Sequence, residues 1–312
     1  MRDTKVYDLI SHLDRREQSQ CLRFIKSPYF NASKQLITLY NMIVKDINND
    51  PVKPLTKEKA WKKLKPNQTY DDVRFRKFAS DLSKLIESYL VQINLEENPF
   101  RWNLNLVESS EKRRIQKLYN SSIRRIKNAS EDKNLEDADF YLEQYLIEKN
   151  IFEVMDSDTK RGKRANLEAI SHNLDHFYIG QKLKLFCDAK SRQNIKEFSY
   201  DLNFQHEIIR YIERTPELPP AIKVYYQIYL IYSKPEVEDN YYKLKELLNQ
   251  HALKFDKKDA RDELYLAAQN YCIQKINKGI AKFLEELFEL YQDMVSKEIL
   301  FVNDELQPWV FR

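Results

Sequence analysis

The sequence predicts an all-α protein, an antiparallel helix-pair array of the α-solenoid, tetratricopeptide-like kind preceded by a helical N-terminal module. Three observations predict it. The 312 residues include only 3 glycines, whereas tight strand turns and phosphate loops both draw on glycine at positive φ. Apolar residues recur at three- and four-residue steps along nearly the whole chain. The breaks between these periodic stretches are short and polar, which is how stacked helix pairs are joined. Hydrophobic residues make up 42% of the chain, enough to bury a core.

The elements follow in order. A first helix covers roughly 4–12. Asp14 with Glu17 three residues on reads as a capping box, opening a helix through Cys21, Leu22, Phe24 and Ile25 that stops before Pro28. Asn31 caps a helix over about 32–48, with Leu36, Leu39, Tyr40, Ile43 and Ile47 on its apolar face. Pro51 and Pro54 mark a loop, and Thr56 caps the short helix KEKAWKKL before Pro66. A long helix over about 70–95 carries Phe75, Phe78, Leu82, Leu85, Ile86, Tyr89, Leu90 and Ile93 as one stripe. Further helices are expected at about 103–128, 135–155, 163–190, 198–213, 219–233, 238–252, 259–277 and 280–297. The domain reading is a module over 1–95, a repeat region over 96–298 and an apolar tail over 299–312. Residues 221–248 align with 263–290 at an offset of 42, placing Tyr225 on Ala267, Tyr229 on Tyr271 and Tyr241 on Phe283. One helix, a turn and a second helix form each unit, the plan of helical repeats.

Two stretches carry a more specific likeness. They are FIKSPYFNASKQLITLY (24–40), with its Ser27-Pro28-Tyr29-Phe30-Asn31 run, and LTKEKAWKKLKPNQTYDDVRFRKFASDLSKLIESYL (55–90), with Leu55-Thr56-Lys57-Glu58 and Ser80-Asp81-Leu82. Over about 10–95 the chain resembles a family of uncharacterised helical-repeat proteins from Bacteroidota-type bacteria. That resemblance implies a helical fold and brings no activity, cofactor or catalytic residue.

The order "short helix, proline, polar turn, long helix" in 55–95 also resembles the reading half of winged-helix transcription regulators, which would send helix 70–95 into a major groove. Charge weighs against that use. Arg74, Arg76, Lys77 and Lys84 are balanced by Asp71, Asp72, Asp81 and Glu87, and a phosphate-facing helix is clearly positive. Residues 94–106 also lack the turn and alternation of a wing hairpin. The expected role of this helix is packing, with its charges solvated.

Few function classes survive. Net charge is +4, too small for a global pull on nucleic acid. Cys21, Cys187 and Cys272 lie far apart, fitting a reducing cytoplasm and neither a disulfide framework nor a zinc cluster. No N-terminal leader and no membrane span are read. No phosphate loop, dinucleotide fingerprint, G-x-S-x-G or Cys-x-x-C is present, so neither catalysis nor a cofactor is expected. His172 and His176 have the i, i+4 spacing of a metal pair, but Asn173 stands where the zinc motif needs Glu, so they read as boundary histidines and no metal is expected.

The expected function is a non-catalytic scaffold or adaptor that binds another protein or peptide, with nucleic-acid binding through helices 112–127 and 70–95 as the alternative. Among 20 tyrosines, Tyr225, Tyr229, Tyr232, Tyr241 and Tyr242 are the candidates for lining a partner groove. Lys112, Arg113, Arg114, Lys117, Arg124, Arg125 and Lys127 are the candidates for an anionic partner. They sit on one basic helix with Ile115, Leu118, Tyr119, Ser122 and Ile126 inside. The acidic helix that follows is expected to answer most of that charge. Lys160, Arg161, Lys163 and Arg164 read as a solvated turn. The tail ILFVNDELQPWVFR is expected to dock back, form an interface, or continue into a longer chain.

Overall fold

In the computed structural model the described residues are 1–49, 54–131, 135–154, 164–195, 199–302 and 305–306. Pro51, the basic run Lys160, Arg161 and Lys163, and the tail aromatics Trp309 and Phe311 lie outside them. The chain divides into two compact units, Met1–Trp102 and Asn103–Arg312. Among the described residues the chain is all-helical apart from a two-residue antiparallel pairing, Phe301 with Leu306 and Val302 with Glu305.

The first unit holds α1 (Lys5–Ser11), α2 (Arg15–Lys26), α3 (Lys34–Asn49), α4 (Lys57–Leu64) and α5 (Asp72–Glu96). Its starts are written in side chains. Asp14 accepts from Glu17 N at 2.7 Å while Glu17 accepts from Asp14 N at 2.8 Å, a complete capping box. Thr56 accepts from Lys59 N at 3.2 Å and Asp71 from Arg74 N at 3.0 Å. Asn31 does something other than cap α3. Its amide donates to Ile25 O and Ser33 O and its oxygen accepts from Ser33 N, so it staples the α2–α3 loop. Trp61 donates to Gln68 O at 3.1 Å, tying the Pro66 turn to α4. α5 buries Phe75, Leu82, Ile86 and Tyr89 against α1, α2 and α3. Leu90, expected in that stripe, is exposed; it lies at the stripe's edge.

The second unit continues with α6 (Pro99–Lys112), which begins at the unit boundary, α7 (Gln116–Glu131), α8 (Ala138–Val154), α9 (Leu167–Ile195), α10 (Gln205–Arg214), α11 (Pro220–Ser233), α12 (Asp239–His251), α13 (Leu266–Asn277) and α14 (Lys282–Ser296). α13 is entered through Lys257–Asp259 and a π-helical segment, Ala260–Tyr265. α9 packs on both α8 and α11, α11 on α12 and α13, and α13 on α14. Gly180 permits the first of these contacts, because a Cβ there would meet Ala138 Cβ at 3.0 Å.

The expected single helix over 103–128 is two helices. Arg114 adopts φ 55°. Arg114 N donates to Glu111 O at 2.8 Å and Ile115 N to Ser110 O at 2.9 Å, the paired bonds of a Schellman stop. The same closure ends α13 at Gly279 (φ 82°) and α14 at Glu298 (φ 56°). After α14, Ile299 and Leu300 are buried in the core of the second unit and Phe301 packs against it.

Candidate functional site

A polar cleft of about 260 Å³ opens in the second unit between α9, α11 and the π-helical entry to α13. Helical spacing aligns Gln181, Lys184, Asp188 and Ser191 along one wall, Tyr225, Ile228 and Tyr232 along the next, and Asp262, Glu263, Leu266 and Asn270 along the third. The π turn fits one extra residue per turn, which re-aims side chains relative to a plain α-helix.

Lys184 Nζ lies 3.6 Å from Glu263 Oε2, 3.8 Å from Asp259 Oδ2 and 5.0 Å from the Tyr225 ring centre. Tyr225 donates its hydroxyl to Glu263. Burial, then the Glu263 carboxylate, raises the Tyr225 pKa far above that of a free phenol. Burial also raises the Asp259 carboxyl, against the pull of Lys184. Cys187 donates to Tyr225 O at 3.3 Å, and burial lifts its thiol well above the ordinary range, which makes it inert as a nucleophile. Arg261 is taken by Asp262 at 2.7 Å. Lys184, Asp259, Glu263 and Tyr225 thus answer one another, as do Arg261 and Asp262, while Asp188 on the α9 wall is exposed. Among the described residues no cluster of His, Cys, Asp and Glu can hold a metal ion.

The five candidate tyrosines do not form one groove. Tyr225 and Tyr232 line the cleft just described. Tyr229 accepts from Gln205 at 3.0 Å and stacks near Tyr226. Tyr241 is fully buried. Its ring packs at 5.2 Å from Tyr271 and 5.5 Å from Phe283, and its hydroxyl reaches Glu286 at 3.2 Å. That hydroxyl is satisfied by a residue 45 positions away, which lets the ring enter the core. Tyr242 alone of the five is exposed. Tyr225 and Tyr241 are core residues and cannot be partner anchors as they stand.

The histidine pair is split, His176 being buried and His172 exposed. His176 stacks on Tyr141 at 4.8 Å and its Nδ1 bonds His172 O at 2.8 Å. In the first unit, Arg74 and Arg76 of α5 turn back on Asp71 and Asp72, consistent with solvated surface charges.

The basic segment departs most from expectation. Lys112 ends α6, Arg113 and Arg114 form the turn, and Lys117, Arg124, Arg125 and Lys127 ride α7. Ile115, expected inside, is exposed at this break. α7 packs on α8, burying Tyr119, Ser122 and Ile126. Among the described residues only Lys127 finds a carboxylate of α8, Glu148 at 3.1 Å. The expected neutralisation fails because α7 turns Lys117 and Arg124 away from the α8 side.

A further surface was not read from the sequence. On α14, Leu284, Phe288 and Val295 form a ridge at steps of four and seven, with exposures of 56%, 62% and 49%. Glu285 and Glu289 border it, and no Lys or Arg occurs between 283 and 296, though Lys245 of α12 pairs with Glu289. The signal was present as a helix apolar on more than one side, but periodicity alone cannot say which side the core takes.

Comparison with protein-family models, curated proteins and solved structures gives no match to this chain. Among the described residues no helix is long and apolar enough to cross a membrane.

Proposed function

We propose that the protein is a non-catalytic interaction scaffold, a helical-repeat array that binds an amphipathic helix of another protein. The observation that carries this reading is the α14 ridge of Leu284, Phe288 and Val295. A helix-in-groove partner reads spacings of this kind. The acidic border selects the partner: an apolar helix face flanked by Lys or Arg. A second copy of the chain would set Glu285, which has no ion pair among the described residues, against its equivalent, which is unfavourable. The repeat reading draws support from Tyr241 and Phe283, equivalent in the alignment at an offset of 42 and both fully buried. Membership of the Bacteroidota-type family belongs to the same proposal. The three unpaired thiols support a reducing, cytoplasmic setting.

The test uses the full chain and two fluorescent helical peptides of the same apolar ridge, one flanked by Lys and one by Glu. The Lys-flanked peptide is expected to bind and to be lost with Phe288→Glu, whose exposed site leaves the melting temperature unchanged. Binding of neither peptide overturns the reading. So does a dimer in light scattering that Phe288→Glu splits, which would assign the ridge to a second copy. Peptide binding gained only after truncation behind Leu306 would assign it to residues 307–312.

A further inference from the structure

Residues 112–130 contain seven cations and no acid. Lys112, Arg113, Arg114, Lys117, Arg124 and Arg125 are all exposed, and none of these six has an ion pair among the described residues. At 100° per residue, Lys117, Asn120, Ser121, Arg124 and Asn128 fall within one arc of about 100°, with Arg125 just beside it. Asn120, Arg124 and Asn128 are exposed with Lys117, whereas Tyr119, Ser122, Ile126 and Ser130 on the opposite side are buried. The outward face is thus cationic and hydrogen-bonding throughout. The helix N-terminus adds its own partial positive charge beside Arg113 and Arg114. Glu111 and Glu153 share a notch with Arg114 and bound the patch on that side.

We propose that this face of α7, with the Arg113–Arg114 turn, binds the phosphate backbone of duplex nucleic acid without reading sequence. Four arginines among the six free cations suit phosphate, which their planar fork meets in two parallel bonds. Asn120 and Asn128 between the cations carry amide donors of the kind that contact phosphate and sugar oxygens. An anionic membrane is disfavoured because an interfacial helix inserts its apolar face, and that side of α7 is packed on α8. A single strand calls for aromatic stacking platforms, and the outward arc has no ring. An acidic protein is disfavoured by the absence of an aromatic anchor between the cations.

Arg114 adds an independent observation. It occupies the left-handed position of a helix stop, φ 55°, where glycine is the usual residue and a side chain is strained by about 1–2 kcal/mol. The closure itself uses only backbone groups and would form with glycine. The guanidinium is therefore not needed for the turn, and its place at the tip of the patch gives it a use.

The experiment is fluorescence polarisation of the full chain with a labelled 20-base-pair DNA duplex and its RNA counterpart between 50 and 200 mM salt. Vesicles containing phosphatidylserine and a polyglutamate peptide serve as parallel probes. About five phosphate contacts predict a log–log salt slope near −4 to −5, a loss of roughly 10²- to 10³-fold in affinity over that range. Lys117→Ala with Arg124→Ala is expected to lower the slope by about 2 without moving the melting temperature. Arg114→Gly is expected to lower it by about 1 while raising thermal stability, so a loss of binding cannot be a loss of fold. No duplex binding at 50 mM salt overturns the proposal. An unchanged slope in both variants does the same, as does binding to vesicles or polyglutamate at least as tight as to the duplex.

Discussion

Tyr7 of α1 donates its hydroxyl to Asp46 of α3 at 2.9 Å, deep in the first unit. Asp46 also accepts from Leu55 N at 2.7 Å and lies 3.9 Å from Arg2 Nε. One buried carboxylate thus joins α1, α3 and the approach to α4. Asp46→Ala leaves a buried phenol and a backbone N–H unanswered. It is expected to destabilise the unit by about 2–4 kcal/mol, and Tyr7→Phe by about 1–2 kcal/mol. Urea unfolding of the two variants checks the order; equal losses would mean that the carboxylate does no more than hold Tyr7.

Beyond α14, Ile299 and Leu300 are the chain's return to the core of the second unit. Each is almost wholly buried. Leu300→Ala is expected to destabilise by about 2–5 kcal/mol through lost burial and the cavity left behind. If truncation before Ile299 leaves the melting temperature unchanged, the docking is not stabilising.

The same helix stop is built on Gly279 and on Glu298, so glycine exchanges there should act with opposite signs. Gly279→Ala strains a φ of 82° and is expected to cost about 1 kcal/mol. Glu298→Gly relieves a φ of 56° and is expected to gain about 0.5 kcal/mol after the entropy of the added glycine and the loss of an exposed pair with Lys257. Thermal denaturation of both variants reads the signs directly.

Burial lowers the pKa of His176 below its usual 6.5; the hydrogen bond to the His172 backbone opposes it, the His172 ring charge adds to it, and Asp175 and Glu136 oppose it. The unfolded chain therefore takes up a proton near 6.5 that the folded chain refuses. Stability contributed by the neutral ring is present above 6.5 and falls as pH drops through 6.5 toward the folded value. His176→Phe keeps a ring against Tyr141 and is expected to flatten the melting-temperature profile between pH 7 and 5. An unchanged profile would place the acid sensitivity elsewhere, His251 being next because burial lowers it too.

Local signals were legible where a side chain acts within four residues. The Asp14–Glu17 box and the Thr56 cap could be read directly, as could the buried stripe from Phe75 to Tyr89. The break at Arg114 could not, because the stop is made by backbone bonds and carries no glycine to announce it. The burial of Tyr225 and Tyr241 was hidden for a different reason. Their hydroxyls are satisfied by Glu263 and Glu286, and sequence spacing gives no hint that these carboxylates lie within reach. Lys184 of the polar cleft was missed likewise, since its partners Asp259 and Glu263 arrive on a π turn that no periodicity marks. The α7 patch was legible in composition, but its freedom from α8 depended on which way the helix faces.

Cys21 in the first unit and Cys187 and Cys272 in the second are all buried and unpaired. Burial holds Cys21 and Cys272 up at about 11 and raises Cys187 well above its ordinary value. At neutral pH each thiol is both shielded and protonated, so an alkylating reagent waits for the surrounding helices to part. The chain thereby carries its own clocks. The rate at which Cys21 is labelled times the opening of one unit, and the rates at Cys187 and Cys272 time that of the other, with no foreign probe introduced.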